Sequence, residues 1–61
     1  MTWGELERLI RKAGWKLYSH GSRHDLYVHP TIPKIIQIGR HKSQEVATGT
    51  ANKILKDAEL K

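Results

Sequence analysis

The spacing of the apolar residues changes at Gly14, and no other feature constrains the fold of this chain as strongly. Before Gly14 the apolar residues recur at intervals of three and four, as on one face of an α-helix: Trp3, Leu6, Leu9, Ile10 and Ala13. Thr2 and Glu5 have the spacing of a capping box, which begins a helix. Glycine readily takes the left-handed conformation that ends one. The pattern therefore predicts an amphipathic helix over residues 3–13.

Beyond this helix the pattern becomes that of short strands. Residues 15–19 and 23–29 alternate between two sets of side chains, and Gly21-Ser22 between them predicts a turn. Residues 34–38 are rich in isoleucine, and they follow two prolines that cannot donate to a sheet. The sequence thus predicts three strands, the first two joined as a hairpin.

Helical spacing returns near the end of the chain. Residues 39–45 are polar and basic, which predicts a loop. From about Thr48 the apolar residues again recur at intervals of three and four: Ala51, Ile54, Leu55 and Ala58. The predicted order is α-β-β-β-α without a linker or a repeat, so we predict that residues 1–61 form a single domain.

This order predicts an α+β fold of two layers. Two amphipathic helices and a three-stranded antiparallel sheet bury their apolar faces when both helices lie on one face of the sheet. Double-stranded-RNA-binding domains have this architecture. A chain of 61 residues buries only about 60% of its unfolded surface. We therefore expect any chemistry on an open surface rather than in a deep cavity.

The composition indicates which partners and which compartment suit the chain. Lysine and arginine number 11 against 6 aspartates and glutamates, and the net charge of +5 favours a polyanionic partner such as nucleic acid. The alternative is that the surplus charge only keeps the protein soluble. The chain has no cysteine, no apolar signal run and no apolar segment of membrane length. We predict a cytoplasmic protein without disulfides.

Three of the four histidines, His20, His24 and His29, lie in the stretch HGSRHDLYVHP. They admit three interpretations: a metal site, an anion-binding patch, or one catalytic histidine. His24 and His29 are five residues apart on a strand, so they point to opposite faces. Asp25 is the only neighbouring carboxylate, which leaves too few ligands for a convincing metal site.

Basic residues near the predicted turn favour the binding of phosphate. They are His20, Arg23, His29, Lys34, Arg40, His41 and Lys42. Tyr18 and Tyr27 offer surfaces on which unpaired bases stack, although packing within the sheet is the simpler role for Tyr27.

His24 is the candidate for catalysis. Histidine titrates near neutral pH, so it can take the proton of a ribose 2′-hydroxyl, and the oxygen then attacks the adjacent phosphorus. In the rival interpretation His24 is a hydrogen-bonded side chain at the rim of the core, because it shares a strand face with Leu26 and Val28. The residues alone leave both interpretations open.

Several short motifs occur in the order and spacing of one known family. They are LIRKAGW at Leu9–Trp15, G-S-x-H at Gly21–His24, H-P at His29-Pro30, IGRH at Ile38–His41 and GTANKILKDAEL at Gly49–Leu60. Together they resemble the HicA toxins of bacterial and archaeal toxin–antitoxin pairs. The resemblance covers nearly the whole chain.

This resemblance implies a double-stranded-RNA-binding-like fold and a metal-independent endoribonuclease, an mRNA interferase that arrests translation without a cofactor. It also implies a HicB antitoxin that masks the active surface. The catalytic histidine of the family falls on His24. We expect contacts with RNA or phosphate at Ser22, Arg23, Arg40, His41 and Lys42. The alternatives are a non-catalytic RNA-binding module of the same fold and a protein-interaction fragment with an acidic partner.

Two positions depart from the family's usual pattern. Gly39 stands where the family has the proline of a V-P-x-H motif, and we expect a looser backbone before Arg40 and His41. Glu59 replaces the glycine of the common A-G-L ending. The second helix is therefore expected to lack its favoured residue after the C-cap, at a cost of about 1 kcal/mol.

Overall fold

The computed structural model describes residues 1–61 and confirms the predicted α-β-β-β-α order. The elements are helix α1 (Trp3–Lys12), strands β1 (Lys16–His20), β2 (His24–Val28) and β3 (Ile35–Gly39), and helix α2 (Thr48–Asp57). The strands form one antiparallel sheet in the order β1-β2-β3. Neither helix is long and apolar enough to cross a membrane.

Both helices pack on one face of the sheet, as the sequence predicts. Along β2, Asp25 and Tyr27 are buried, whereas His24, Leu26 and Val28 are only partly buried. The core consists of Leu6, Ile10, Trp15, Tyr27, Ile36, Ile38, Val46, Ala51, Ile54 and Ala58. Because this core draws on α1, α2 and one alternating set of strand residues, the fold is the α+β architecture of double-stranded-RNA-binding domains.

Tyr27 belongs to the core and not to a stacking surface. Its hydroxyl donates to Glu7 and accepts a hydrogen bond of 2.9 Å from Arg11 Nη2. Burial and the hydrogen bond to Glu7 raise the pKa of Tyr27 to about 12. Packing within the sheet, the simpler role expected for Tyr27, is therefore confirmed, and the alternative of base stacking is wrong for this residue. Tyr18, by contrast, is 66% exposed and lies at a bulge in β1.

The strands begin and end one residue away from several predicted limits. β1 starts at Lys16 because Trp15 completes the end of α1, its N–H donating to the Ile10 carbonyl at 3.0 Å. β3 continues through Gly39, where the sequence predicts a loop, because Gly39 pairs with His24 of β2. This last difference places Gly39 beside the candidate catalytic histidine.

Both helices end in a Schellman motif, and only one of them has a glycine at the position that favours it. Gly14 follows α1 with φ +100°, and Glu59 follows α2 with φ 61°. Glu59 N–H donates to Lys56 at 3.0 Å, and Leu60 N–H donates to Leu55 at 2.8 Å. Glu59 thus takes the left-handed conformation at a steric cost that glycine avoids.

Replacing Glu59 with glycine is expected to raise the free energy of unfolding by about 1 kcal/mol, because glycine has no Cβ to crowd the left-handed backbone. The measurement is urea unfolding followed by circular dichroism. Glu59→Ala is the matched control, since it removes the same carboxylate and keeps the Cβ. Equal stabilisation by both variants would assign the effect to charge and contradict the backbone explanation.

Candidate functional site

His24 is the first residue of β2 and directly follows the tight turn of the G-S-x-H motif. The turn is closed by a hydrogen bond of 2.7 Å from Gly21 N–H to the His24 carbonyl. On its other side His24 pairs with Gly39 of β3. Backbone contacts with both neighbouring segments therefore fix the point from which the imidazole projects.

The His24 side chain lies outside the core. Asp25 and Tyr27 face the helices, so His24 projects from the opposite side of β2 and is only partly buried. The hydrogen bonds of histidine rings in this protein are made by His20 and His29, and not by His24. The hydrogen bond that the rival interpretation assigns to His24 is therefore absent, although the ring does contact Trp3 beside the core.

Three concavities of the surface meet at His24. The largest, of about 720 Å³, brings together five of the six predicted site residues: Ser22, Arg23, His24, Arg40 and His41. A second, of about 380 Å³, extends from His24 toward Lys53 and Asp57 of α2. A third, of about 160 Å³, surrounds the turn at Ser22 and Arg23. A ligand that reaches the His24 ring thus meets basic side chains in the same hollow.

The side chain of Arg40 is held in place by the carboxylate of Asp25, which lies on the face of the sheet that packs against the helices. Its Nε donates to Asp25 Oδ1 at 3.1 Å, and its Nη2 donates to the Gly21 carbonyl. Asp25 is 8% exposed and also accepts a hydrogen bond of 2.7 Å from His20 Nδ1. These contacts, first that of His20, lower the pKa of the Asp25 carboxyl against the effect of burial. Arg40 thereby joins the segment after β3 to the turn before His24.

Lys42, which the sequence predicts to bind phosphate, lies apart from the other five predicted site residues. Its Nζ lies 2.8 Å from Glu7 Oε2 and 3.8 Å from Asp25 Oδ2, and it does not line the largest concavity. Burial raises the pKa of Glu7, but hydrogen bonds from Lys42 and Tyr27 outweigh it, so the net shift is downward. The Lys42 charge is therefore engaged by carboxylates on the α1 side of the molecule.

His20 and His29 also lie apart from His24. His20 is turned toward Asp25, and His29 Nε2 donates to the Ala13 carbonyl at 3.0 Å, at the end of α1. The ring of His29 packs against Trp15, with 5.3 Å between centroids. The structure brings together no group of three or more histidine, aspartate or glutamate side chains suited to a metal ion.

Trp3 belongs to the site, although sequence reasoning assigned it only to the apolar face of α1. Its indole lies edge to face with the His24 ring, 6.3 Å between centroids. It also covers Gly39, where a Cβ would stand 2.7 Å from the indole nitrogen. The glycine in place of the family's proline was the one sequence signal of this contact.

A comparison with protein families gives one match. The family described as the HicA toxin of bacterial toxin-antitoxin matches residues 3–60, which is nearly the whole chain. No curated protein matches the chain.

Proposed function

The chain belongs to the HicA toxin family of toxin–antitoxin systems, and from this we propose that it is a metal-independent endoribonuclease that cleaves mRNA and arrests translation. His24 is the general base of the reaction. The observation that carries the proposal is the His24 imidazole, which makes no hydrogen bond within the protein and lines one concavity with Arg23, Arg40 and His41.

The proposed reaction uses the 2′-hydroxyl of the RNA as the nucleophile. A neutral ring nitrogen of His24 takes the hydroxyl proton while the 2′-oxygen forms a bond to the adjacent phosphorus. The bond from phosphorus to the 5′-oxygen breaks, and that oxygen takes a proton from the solvent or from protonated His24. The products are a 2′,3′-cyclic phosphate and a 5′-hydroxyl. A general base of this kind contributes about 10²–10⁴-fold in rate.

The basic residues of the concavity would stabilise the extra negative charge on phosphorus in the transition state. Arg23 and His41 take part in no ion pair, so their donors are open to a phosphate. Arg40 is positioned by Asp25 and adds a fixed charge. Ser22 contributes a hydroxyl at the turn. For Lys42 we propose an indirect role through its contacts with Glu7 and Asp25.

We further propose that the antitoxin is HicB-like and covers the concavity at His24. An acidic segment laid over Arg23 and His41 would occupy the positions of the RNA phosphates. Inhibition would then follow from direct competition with the substrate.

The proposed activity predicts that the purified protein cuts single-stranded RNA in the presence of EDTA, because no metal takes part in the step. We expect fragments with cyclic phosphate ends, measured by gel electrophoresis and mass spectrometry. The same oligonucleotide with 2′-deoxyribose throughout is the control and is expected to stay intact, since it lacks the nucleophile. Binding of RNA without fragments would contradict the proposal and favour a non-catalytic RNA-binding module.

A further inference from the structure

We propose that the Trp3 indole is a stacking subsite for an RNA base next to the bond that is cut. This inference rests on the proposed ribonuclease function, and it adds a residue that contacts the substrate. It assigns to the site a ligand class, the nucleobase, that the basic residues of the concavity do not recognise.

The indole lies flat over Gly39. A Cβ on Gly39 would stand 2.7 Å from both Cε2 and Nε1 of Trp3 and 3.0 Å from Cδ1. Such similar distances to three adjacent ring atoms require the ring face, rather than its edge, to cover the glycine. Contacts below 3.0 Å are not tolerated, so any other residue at this position would displace the indole. Gly39 thus permits the observed placement of Trp3.

The rest of the indole is directed to the space around His24. Trp3 is only partly buried, and it lines both the concavity of about 720 Å³ and that of about 380 Å³. Its ring meets the His24 ring at 75°, with 6.3 Å between centroids. A flat aromatic ring therefore stands directly beside the histidine that we propose as the general base.

The chemistry of the surroundings favours a nucleobase on this ring. Arg23 and His41 lie in the same concavity and would bind the phosphates. The aromatic ring of Trp3 next to them offers a flat apolar surface that suits a base and not a phosphate. Stacking of one base on an aromatic side chain changes affinity by about 5–150-fold, and it tolerates any base. We therefore expect the protein to prefer single strands that carry bases over strands that lack them, and to show little preference among base sequences.

The test uses single-stranded DNA, which has bases and phosphates as RNA does but lacks the 2′-hydroxyl that the proposed reaction requires. A short single-stranded oligodeoxynucleotide is expected to quench the tryptophan fluorescence of the wild-type protein, because a base stacks on Trp3. Trp15 is 1% exposed and does not contact the ligand. An abasic oligonucleotide of the same length and charge is the matched probe. It is expected to bind at least tenfold more weakly and to leave the fluorescence nearly unchanged.

Variants assign the signal to Trp3. Trp3→Leu is expected to bind both oligonucleotides equally weakly, whereas Trp3→Phe keeps most of the preference for the one with bases. Leu9→Ala, which removes an exposed apolar side chain of α1 that lines none of the three concavities, is expected to behave as wild type. Circular dichroism establishes that each variant is folded. The comparison of the two oligonucleotides on the wild-type protein tests the proposal even if a variant fails to fold.

Equal quenching by the abasic oligonucleotide would overturn the subsite, as would an unchanged base preference in Trp3→Leu. If Trp3 fluorescence changed with an acidic protein partner and not with an oligonucleotide, the base-stacking subsite would be overturned in favour of a contact with the antitoxin. The outcome is separate from that of the cleavage assay. Base-dependent quenching without RNA cleavage would refute the nuclease and keep the subsite, whereas cleavage without base dependence would do the reverse.

Discussion

Replacing His24 with glutamine is expected to slow RNA cleavage by about 10²–10⁴-fold, because glutamine cannot accept a proton at neutral pH. The substitution keeps a planar polar side chain of similar reach. The His24 ring makes no hydrogen bond within the protein, so its loss is expected to leave the fold intact. The measurement is single-turnover cleavage in EDTA, together with growth and mRNA integrity after induction in cells.

His20→Gln is the matched control, since it removes an imidazole four residues away in the sequence that faces Asp25 instead of the concavity. We expect its cleavage rate to stay within a few-fold of wild type. Equal activity and toxicity of folded His24→Gln and wild type would refute His24 as the base. A large loss in His20→Gln alone would assign catalysis to the other side of the sheet.

Replacing Asp25 with asparagine is expected to lower the free energy of unfolding by about 2 kcal/mol, because the neutral amide weakens hydrogen bonds from charged donors. The donors are Arg40 at 3.1 Å and His20 at 2.7 Å. In a domain of this size such a loss lowers Tm by roughly 10 °C. Thermal unfolding followed by circular dichroism measures it. Cleavage is expected to fall as well, since Arg40 loses its anchor.

The stability of Asp25→Asn is also expected to depend less on acid pH than the stability of wild type. The folded protein lowers the pKa of Asp25, chiefly through the hydrogen bond from His20. The resulting stabilisation is complete above the unfolded pKa of about 3.9. It disappears as the pH falls through the lower folded value. Wild type is therefore expected to lose more stability than Asp25→Asn between pH 5 and pH 2, although Glu7 adds acid sensitivity to both.

Asp57→Asn is the matched control for these measurements. Asp57 meets Lys34 at 3.8 Å on the surface, and its side chain is 37% exposed. An exposed pair of this kind contributes less than about 1 kcal/mol. If Asp57→Asn and Asp25→Asn were equally destabilised, the special importance of the Asp25 contacts would be refuted.

The periodicity of the sequence was sufficient for the order of elements but not for the face of the sheet that carries the core. Leu26 and Val28 are the more apolar set on β2, yet Asp25 and Tyr27 face the helices. Residues distant in the sequence supply the partners that these polar groups require: Glu7 of α1 accepts from the Tyr27 hydroxyl, and Arg40 donates to Asp25. A strand pattern contains no information on such distant partners, which left the position of His24 undecided.

The cluster around His24 was predictable only for residues that lie near it in the sequence or directly after β3. Ser22 and Arg23 share its turn, so their proximity followed from the motif, and Arg40 and His41 followed from their place after β3. Lys42 points elsewhere because the carboxylate of Glu7 attracts its charge. Trp3 meets His24 only through the packing of α1 on the end of β3, which the spacing of apolar residues does not specify.

The first turn of α1 is joined to the segment after β3 by two backbone hydrogen bonds, from Trp3 N–H to Gln44 at 3.1 Å and from Gly4 N–H to Lys42 at 2.9 Å. Closing such a long loop costs conformational entropy, so we expect these bonds to form late in folding. A nascent chain that has not yet reached β3 has neither Gly39 beneath Trp3 nor the basic segment that follows. We therefore expect the concavity at His24 to take shape only after the segment that follows β3 has been synthesised.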